Sequence, residues 1–304
     1  MPAVRPRKWR APVYTGEPDA GEGFAANVDA AIEQIEANLA GAVRGRDPEF
    51  LHQLRVGMRR LRSTLRCFRK LVRRRRADTI DRRLRSLLHS LGATRDWDVF
   101  CRLDWPPALR GEAERLRSDA GRAARGVMRS ANFRAAIRAT RDWAKSNPWR
   151  RHAEPTEPLS AFAHRALQRL HQKLREAAAG IDWNDAPRRH KVRIRVKRMR
   201  YGSECFAPAF RKAELQRYLR HVKQLQTILG ELNDIFVQRR LLRKLGRGAG
   251  RGGLARTAIA HLEVRERLLS RGLGAVWRRF EAHARFWRRA RAARGPGRIP
   301  FRGR

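Results

Sequence analysis

The sequence predicts an all-α protein on three observations. Long stretches are rich in Arg, Leu, Ala and Glu, with apolar residues at the three- and four-residue spacing of amphipathic helices. Strand signals are weak, because the 304 residues include only three Tyr and few runs of Val or Ile. A hydrophobic fraction of 42% is enough to build a core, so extensive disorder is not expected.

Helix-breaking residues divide the chain into about eight helices. The breaks fall at residues 45–48, 106–107, 147–158, 184–187, 208 and 246–253, where Gly, Pro and Asn cluster. Two helices are expected to begin after Asp47 and Asp185, because each acidic residue is followed by a proline in the first turn. Both of these starts precede the most basic stretches of the chain.

An internal repeat indicates that the chain is a tandem duplication. One gapless register with an offset of 138 residues runs from Phe24 to Val99 in the first copy. It aligns His52 with His190, Arg55 with Arg193, Arg59 with Lys197, Cys67 with Cys205, and the sequence LGATRD at 91–96 with LGELND at 229–234. We therefore expect two four-helix bundles related by a pseudo-two-fold axis, with a basic groove between them.

The domain boundaries follow from this repeat. Residues 1–19 are a basic, Pro-rich extension, and residues 20–290 are one duplicated domain with halves at about 20–146 and 158–290. Residues 291–304 are expected to be a basic flexible tail, because they carry Arg, Gly and Pro but no acid.

The charge indicates the class of partner. The chain has 71 Lys and Arg against 29 Asp and Glu, which gives a formal net charge of +42. A compact body with this charge repels itself, and the usual reason to tolerate the repulsion is a polyanionic partner. The candidates are nucleic acid, an anionic membrane surface and a phosphate polymer.

Much of the charge lies in a stripe along the second helix of each half. Residues 51–76 contain eleven Lys and Arg and no acid. Basic residues follow helical spacing beside an apolar row, so one flank packs inward and its neighbour is cationic. The first stripe contains His52, Arg55, Arg59, Arg62 and Arg66, and the second contains His190, Arg193, Lys197 and Arg200.

Such a stripe is either a solvated, salt-bridged face or a track for phosphates. Carboxylates from other helices, such as Glu33, Glu36 and Glu204, could neutralise it. Against this, mixed-sign faces place acids three or four residues from the bases, and the stripe has none. Arginine pairs bidentately with phosphate oxygens, which favours the track. The third helix of each half carries two further cations at equivalent positions, and these would extend a groove: Arg82 and Arg85 in the first half, Arg220 and Lys223 in the second.

The stripes favour a ligand made of phosphate alone. Proteins that bind single-stranded nucleic acid or recognise a base sequence usually stack the bases on aromatic side chains. Tyr201 is the one aromatic residue near the basic flank of the predicted helices. Nonspecific binding of RNA or DNA is the alternative. An enzyme that processes a phosphate polymer is a further alternative, without an obvious carboxylate cluster for Mg²⁺.

These motifs resemble the CHAD domain, the conserved histidine α-helical domain. The resemblance lies in the pattern H-x-x-R-V-x-x-R-R-x-R from His52, its copy from His190, and the paired LG elements, and it covers about residues 20–290. It implies non-enzymatic binding of inorganic polyphosphate in a basic groove, at polyphosphate granules, without a cofactor. Many members are fused to a CYTH triphosphatase domain, for which this chain has no room.

The resemblance also implies the contact residues. Polyphosphate would contact His52, Arg55, Arg59, Arg60, Arg62, Arg66, Arg82, Arg85, His190, Arg193, Lys197, Arg198, Arg200, Tyr201, Arg220 and Lys223. Ser63 stands where the second copy has Tyr201, so the sequence departs from the symmetric form of the family at this position.

Other titratable residues are predicted to be structural. The two aligned histidines have no second ligand at i+3 or i+4, so we expect phosphate donors rather than metal ligands, and tighter binding near pH 6 than near pH 8. Asp96, Asp98 and Asp234 follow a glycine-containing break, where an aspartate usually caps a turn or pairs with Arg. Cys67 and Cys205 are expected to be buried small residues.

Three cysteines without a CxxC pair fit a reducing compartment. The first residues contain Pro2, Pro6 and Pro12 and no apolar segment, so no signal peptide is expected. No run of about 18 apolar residues occurs, which excludes a membrane span. The expected location is the cytoplasm.

Overall fold

The computed structural model describes residues 5–149, 157–248, 250–283 and 285–288. In these residues every regular element is a helix, and the β structure is one isolated bridge between Asp19 and Pro158. The prediction of an all-α fold is confirmed. The expected flexible tail at 291–304 lies outside the described residues, as do residues 1–4 of the extension and 150–156 of one predicted break.

Ten α-helices follow one another in the described part of the chain. The first half contains α1 (Ala20–Arg44), α2 (Pro48–Cys67), α3 (Arg74–Ser90), α4 (Gly92–Phe100), α5 (Pro107–Arg129) and α6 (Ala131–Lys145). The second half contains α7 (Leu159–Ala178), α8 (Ala186–Cys205), α9 (Lys212–Leu245) and α10 (Gly252–Glu281).

Both predicted acidic helix starts are present. The Asp47 side chain accepts a hydrogen bond from the Glu49 N–H (2.7 Å) at the start of α2. The Asp185 side chain accepts one from the Arg188 N–H (3.0 Å) at the start of α8. Each helix has a proline in its first turn, where a backbone N–H would have no acceptor within the helix, so the proline costs no hydrogen bond. These caps fix the register of the two most basic helices.

The helix boundaries repeat the 138-residue offset in part. Helices α2 and α8 begin and end at equivalent positions, and α3 begins at the position equivalent to the start of α9. The first half nevertheless has six helices where four were expected. A turn at Leu91 separates α3 from α4, whereas α9 continues through the equivalent Leu229, and Ser130 ends α5 and caps α6. The pseudo-two-fold relation in space stays a prediction.

The apolar rows of α2 and α8 face the core. Leu54, Met58 and Leu61 are fully buried on α2, where α1 covers them, and the equivalent Val192, Val196 and Met199 are fully buried on α8, where α7 lies. Burial of each such side chain contributes roughly 1.5–3 kcal/mol. The core therefore fixes the rotation of both helices and leaves their basic flanks on the opposite side.

Four phenylalanines join the two halves. The Phe68 ring at the end of α2 lies 5.1 Å from Phe162 and 5.1 Å from Phe206, and Phe24 lies 5.6 Å from Phe68, between ring centroids. Phe24 is equivalent to Phe162 under the 138-residue offset and Phe68 to Phe206, so equivalent residues of the two halves meet in one cluster. Cys67 and Cys205, beside these rings, are buried as expected. The cluster holds the C-terminal ends of α2 and α8 together.

The N-terminal extension docks on the first half. The Arg7 backbone exchanges two hydrogen bonds with the Asn38 side chain on α1 (3.0 and 2.8 Å). The Trp9 ring lies 4.0 Å from the Arg60 guanidinium. Within the described residues, no helix has the length and hydropathy required to cross a membrane.

Candidate anion-binding site

Cations from α2 and α8 meet where these two helices pack together. The Nε of Arg59 lies 3.4 Å from the Oη of Tyr201 across this contact. Arg59 is also close enough to Lys197 and Arg193 for its charge to lower their pKa values. Because Arg59 and Lys197 are equivalent under the offset, each half contributes one residue to the centre of the site.

The neighbouring helices flank this contact on both sides. On one side, the Arg55 Nη1 donates to the Leu88 carbonyl oxygen of α3 (3.0 Å), and Arg95 of α4 lies close to His52. On the other side, the Arg200 Nη1 donates to the Gln226 Oε1 of α9 (3.2 Å). Helices α2 and α8 therefore form a basic floor between α3–α4 and α9.

Five residues form what we call the basic cluster: Arg55, Arg59, Arg95, Arg193 and Lys197. Burial, followed by the charge of Arg59, lowers the pKa of Arg55 to about 10. Burial, followed by the charges of Arg193 and Arg59, lowers the pKa of Lys197 to about 7. Burial also lowers the pKa values of Arg95 and Arg193. The cluster thus holds like charges together in a partly desolvated place, and a bound anion would relieve both costs.

Several guanidinium donors in the basic cluster have no protein acceptor. Within the described residues, the Nε atoms of Arg55 and Arg193 and the Nη1 atom of Arg95 are buried and make no hydrogen bond. A buried donor without a partner costs roughly 1–3 kcal/mol. Unpaired donors in a group of like charges are typical of a site prepared for an anionic ligand.

The two aligned histidines lie at the ends of the floor. Burial and the nearby charge of Arg95 lower the pKa of His52 to about 4. Burial, followed by the charges of Arg193 and Lys197, also lowers the pKa of His190. The free protein therefore carries neutral His52 at pH 6–8, and in the basic cluster Lys197 titrates near neutrality. Within the described residues, no group of three or more His, Cys, Asp or Glu could hold a metal ion.

Four of the predicted contacts already have carboxylate partners. Asp81 of α3 accepts hydrogen bonds from Arg62 (2.7 Å) and Arg66 (2.9 Å). Glu204 accepts from Arg60 (2.6 Å) and Arg200 (2.8 Å). These ion pairs limit what the four arginines can offer a ligand, and the stripe is therefore interrupted toward the C-terminal ends of α2 and α8.

The neutralising acids differ in part from those considered in the sequence. Glu204 does neutralise the stripe, whereas Glu36 pairs with Arg141 (2.8 Å) and Glu33 is exposed. The pairing of Asp81 cannot be predicted from the sequence, because nothing in its local sequence shows which helix its carboxylate would meet.

The remaining predicted contacts lie around the basic cluster. Arg198 lies close to Arg62 and Arg66, and its buried Nε has no hydrogen-bond partner among the described residues. The four cations on the third helices are exposed to solvent: Arg82, Arg85, Arg220 and Lys223. Lys223 shares a face of α9 with Gln226, which contacts α8. Whether these residues bind a ligand stays a prediction.

The three aspartates at the paired LG elements differ in their partners. Asp98 is buried and accepts a hydrogen bond from Arg117 (2.8 Å), and Asp96 accepts one from Arg240 (2.8 Å). Burial raises the pKa of Asp96 even so. Asp234 is exposed and lies close to Arg193 and Lys197. The ion pairs of Asp96 and Asp98 agree with the structural role expected for them.

Arg95 is the residue of the basic cluster that was not among the predicted contacts. Arg95 lies in the LGATRD element, which the repeat aligns with LGELND. The sequence feature that could have identified Arg95 as a site residue is therefore its position in a duplicated motif. Its equivalent Asn233 hydrogen-bonds His190, as Arg95 lies beside His52. The motif therefore positions one polar side chain against each aligned histidine.

Most of the chain is similar to one known family. The family model described as the CHAD domain matches residues 26–243. The fold is similar to the crystal structure of the CHAD domain from the plant Ricinus communis, with a TM-score of 0.82 and 27% identity over 93% of this chain and 98% of that one. PptA from Streptomyces chartreusis has the same fold at a TM-score of 0.65 and 14% identity, over 87% of this chain and 99% of that one. No curated protein matches the chain.

Proposed function

Because this chain belongs to the CHAD domain family, we propose that it binds inorganic polyphosphate along the basic cluster. The observation that carries the proposal is the convergence of five cations from α2, α4 and α8, three of which have buried donors without a protein acceptor. A linear phosphate chain presents oxygen acceptors at short, regular intervals, so one chain can satisfy all of these donors.

The surroundings of the basic cluster favour phosphate over nucleic acid. A nucleic acid carries one base for each phosphate, and proteins that bind single strands stack these bases on aromatic side chains. Few aromatic residues border the floor: Tyr201 is already engaged with Arg59 and Arg60, Trp9 lies against Arg60, and Phe236 stands singly at one end, where it could take one base but not a row of them. A polymer without bases needs no further platform.

We propose binding without catalysis, in the cytoplasm and at polyphosphate granules. Among the carboxylates near the basic cluster, Asp96 supports a structural role because it already pairs with Arg240, and Asp234 is exposed beside Arg193 and Lys197. Phosphate release from polyphosphate in the presence of Mg²⁺ would contradict the proposal of binding alone.

A competition titration tests the proposed ligand. Labelled long-chain polyphosphate is bound to the protein and displaced with unlabelled polyphosphate, single-stranded RNA or duplex DNA at equal phosphate concentration. We expect polyphosphate to displace the label at concentrations at least tenfold lower than either nucleic acid, because only the unsubstituted chain fits the unpaired donors closely. Equal or better displacement by a nucleic acid would assign the site to that polymer.

Lys197 gives the expected pH dependence. Its pKa in the free protein is about 7, and a bound polyanion raises the pKa toward its ordinary value, so binding takes up a proton above pH 7. Affinity should be nearly constant from pH 6 to pH 7 and then fall by about tenfold for each pH unit up to pH 9. Titration calorimetry in two buffers of different ionisation enthalpy measures the proton uptake directly.

A conservative variant isolates this effect. Lys197→Arg keeps the charge at every pH used, so its affinity should hardly change from pH 7 to pH 9. Lys173→Arg is the matched control on the exposed face of α7, away from the predicted contacts, and it should retain the wild-type profile. A wild-type affinity that is flat from pH 7 to pH 9 would remove Lys197 from the binding site.

A further inference from the structure

An apolar pocket lies at one end of the basic floor, between α8 and α9. Its volume is about 450 Å³, within the range of small-molecule sites. Its lining includes Pro187, His190, Arg193, Leu232, Asn233 and Phe236. Arg193 belongs to both the pocket and the basic cluster, so the two are continuous.

Phe236 is the unusual residue in this lining. Its side chain is 55% exposed, although most aromatic side chains among the described residues are buried. It stands on α9 one turn beyond Asn233, whose amide bonds His190. The pocket therefore offers a flat apolar surface and an amide next to a cationic wall.

The duplication provides an internal comparison. Under the 138-residue offset, Phe236 corresponds to Asp98 and Leu232 corresponds to Thr94. In the first half these polar residues are covered by α5, because Thr94 donates to the Ala120 carbonyl oxygen (2.8 Å) and Asp98 accepts from Arg117 (2.8 Å). The cavity left there is smaller, about 260 Å³, and contains acidic groups. An open apolar pocket beside the floor is thus a property of the second half.

We propose that this pocket binds the base of a nucleoside 5′-polyphosphate, whose phosphate chain continues onto Arg193 and Lys197. The occupant must combine a planar apolar group with a multiply charged tail, because the pocket opens directly onto the basic cluster. One base stacks on Phe236 and meets the Asn233 amide with its polar edge. One pocket holds one base, which distinguishes this ligand from a nucleic acid. The inference rests on the proposed function, since the basic cluster must bind the phosphates.

The test compares ATP with inorganic tripolyphosphate, which have the same number of phosphates, in calorimetric titrations without divalent cations. ATP should bind about tenfold more tightly, although tripolyphosphate carries the greater negative charge, because a stacked base adds to the phosphate contacts. Phe236→Ala should remove this preference and leave the affinity for tripolyphosphate unchanged. Leu268→Ala, which truncates a 61% exposed side chain on α10, should leave both affinities at the wild-type level.

The outcomes separate this inference from the proposed function. If wild-type protein binds long-chain polyphosphate but binds ATP no better than tripolyphosphate, or if Phe236→Ala keeps the preference, the base pocket is wrong and the polyphosphate site stands. If neither polyphosphate nor tripolyphosphate binds, both proposals fail. If an oligonucleotide displaces ATP more effectively than polyphosphate does, the pocket belongs to a nucleic-acid site instead.

Discussion

Replacing Arg59 and Lys197 together by glutamate is expected to lower the affinity for long-chain polyphosphate about a thousandfold. The two residues form the centre of the basic cluster, and each is close to the charge of the other. A charge-assisted hydrogen bond contributes about 2 kcal/mol, so loss of two such contacts corresponds to about 4 kcal/mol. That energy is about a factor of a thousand in the dissociation constant, before repulsion by the new carboxylates is counted.

The double variant should still fold. Each new glutamate would lie beside a remaining cation, Arg55 or Arg193, so the substitution replaces repulsion by attraction. Circular dichroism and thermal unfolding check this. The control is Arg138→Glu with Arg271→Glu, which changes the net charge equally at two exposed positions. A similar loss of affinity in both proteins would mean that total charge, and not the basic cluster, binds the polymer.

Salt should weaken binding about as strongly as the charge reversal does. A polyanion releases condensed counterions when cations bind its phosphates, so the logarithm of the affinity falls linearly with the logarithm of the salt concentration. The basic cluster with its flanking cations supplies roughly six phosphate contacts, which gives a loss of about 10³ in affinity between 50 and 200 mM salt. Fluorescence anisotropy with labelled polyphosphate over this range measures the slope.

Single neutral substitutions identify which cations contribute to that slope. Arg193→Gln removes a charge from the basic cluster and should reduce the slope by about one. Arg62→Gln removes a charge that is already paired with Asp81, and Arg66 continues to hold that carboxylate, so the slope should hardly change. Equal reductions in the two variants would show that the ion-paired arginines also bind phosphate.

Much of the fold could be predicted because it depends on local and periodic signals. The starts of α2 and α8 were predictable from Asp47 and Asp185, since capping involves residues two or three positions apart. The apolar rows that end in Phe68 and Phe206 predicted which flank of each helix would be buried. The glycine-containing break expected before Asp96 is present at Leu91, but the equivalent break expected before Asp234 is wrong, because α9 continues through Leu229 and Gly230. The break at Ser130 was not predicted, because neither Gly nor Pro marks it.

The site was predicted in part for the same reason. Arg55, Arg59, Arg193 and Lys197 follow from helical spacing, and they do converge. Arg62 and Arg66 have the same spacing but meet Asp81 of α3, which no periodicity can indicate. Arg200 pairs with Glu204 one turn later in its own helix, and only the packing of α2 on α8 brings that glutamate to Arg60. Arg95 carried the signal of a duplicated motif but no signal of its neighbours.

The sequence by itself determined the class of fold and the surface charge: helices from periodicity, a repeat from one register, and an excess of 42 positive charges that favours an anionic partner. The packing of α2 on α8 decided which of those charges act together. Helical spacing assigns a residue to a face, but an ion pair, a lowered pKa or an open pocket beside Phe236 depends on distances between residues far apart in the chain. Those distances exist only in the folded protein.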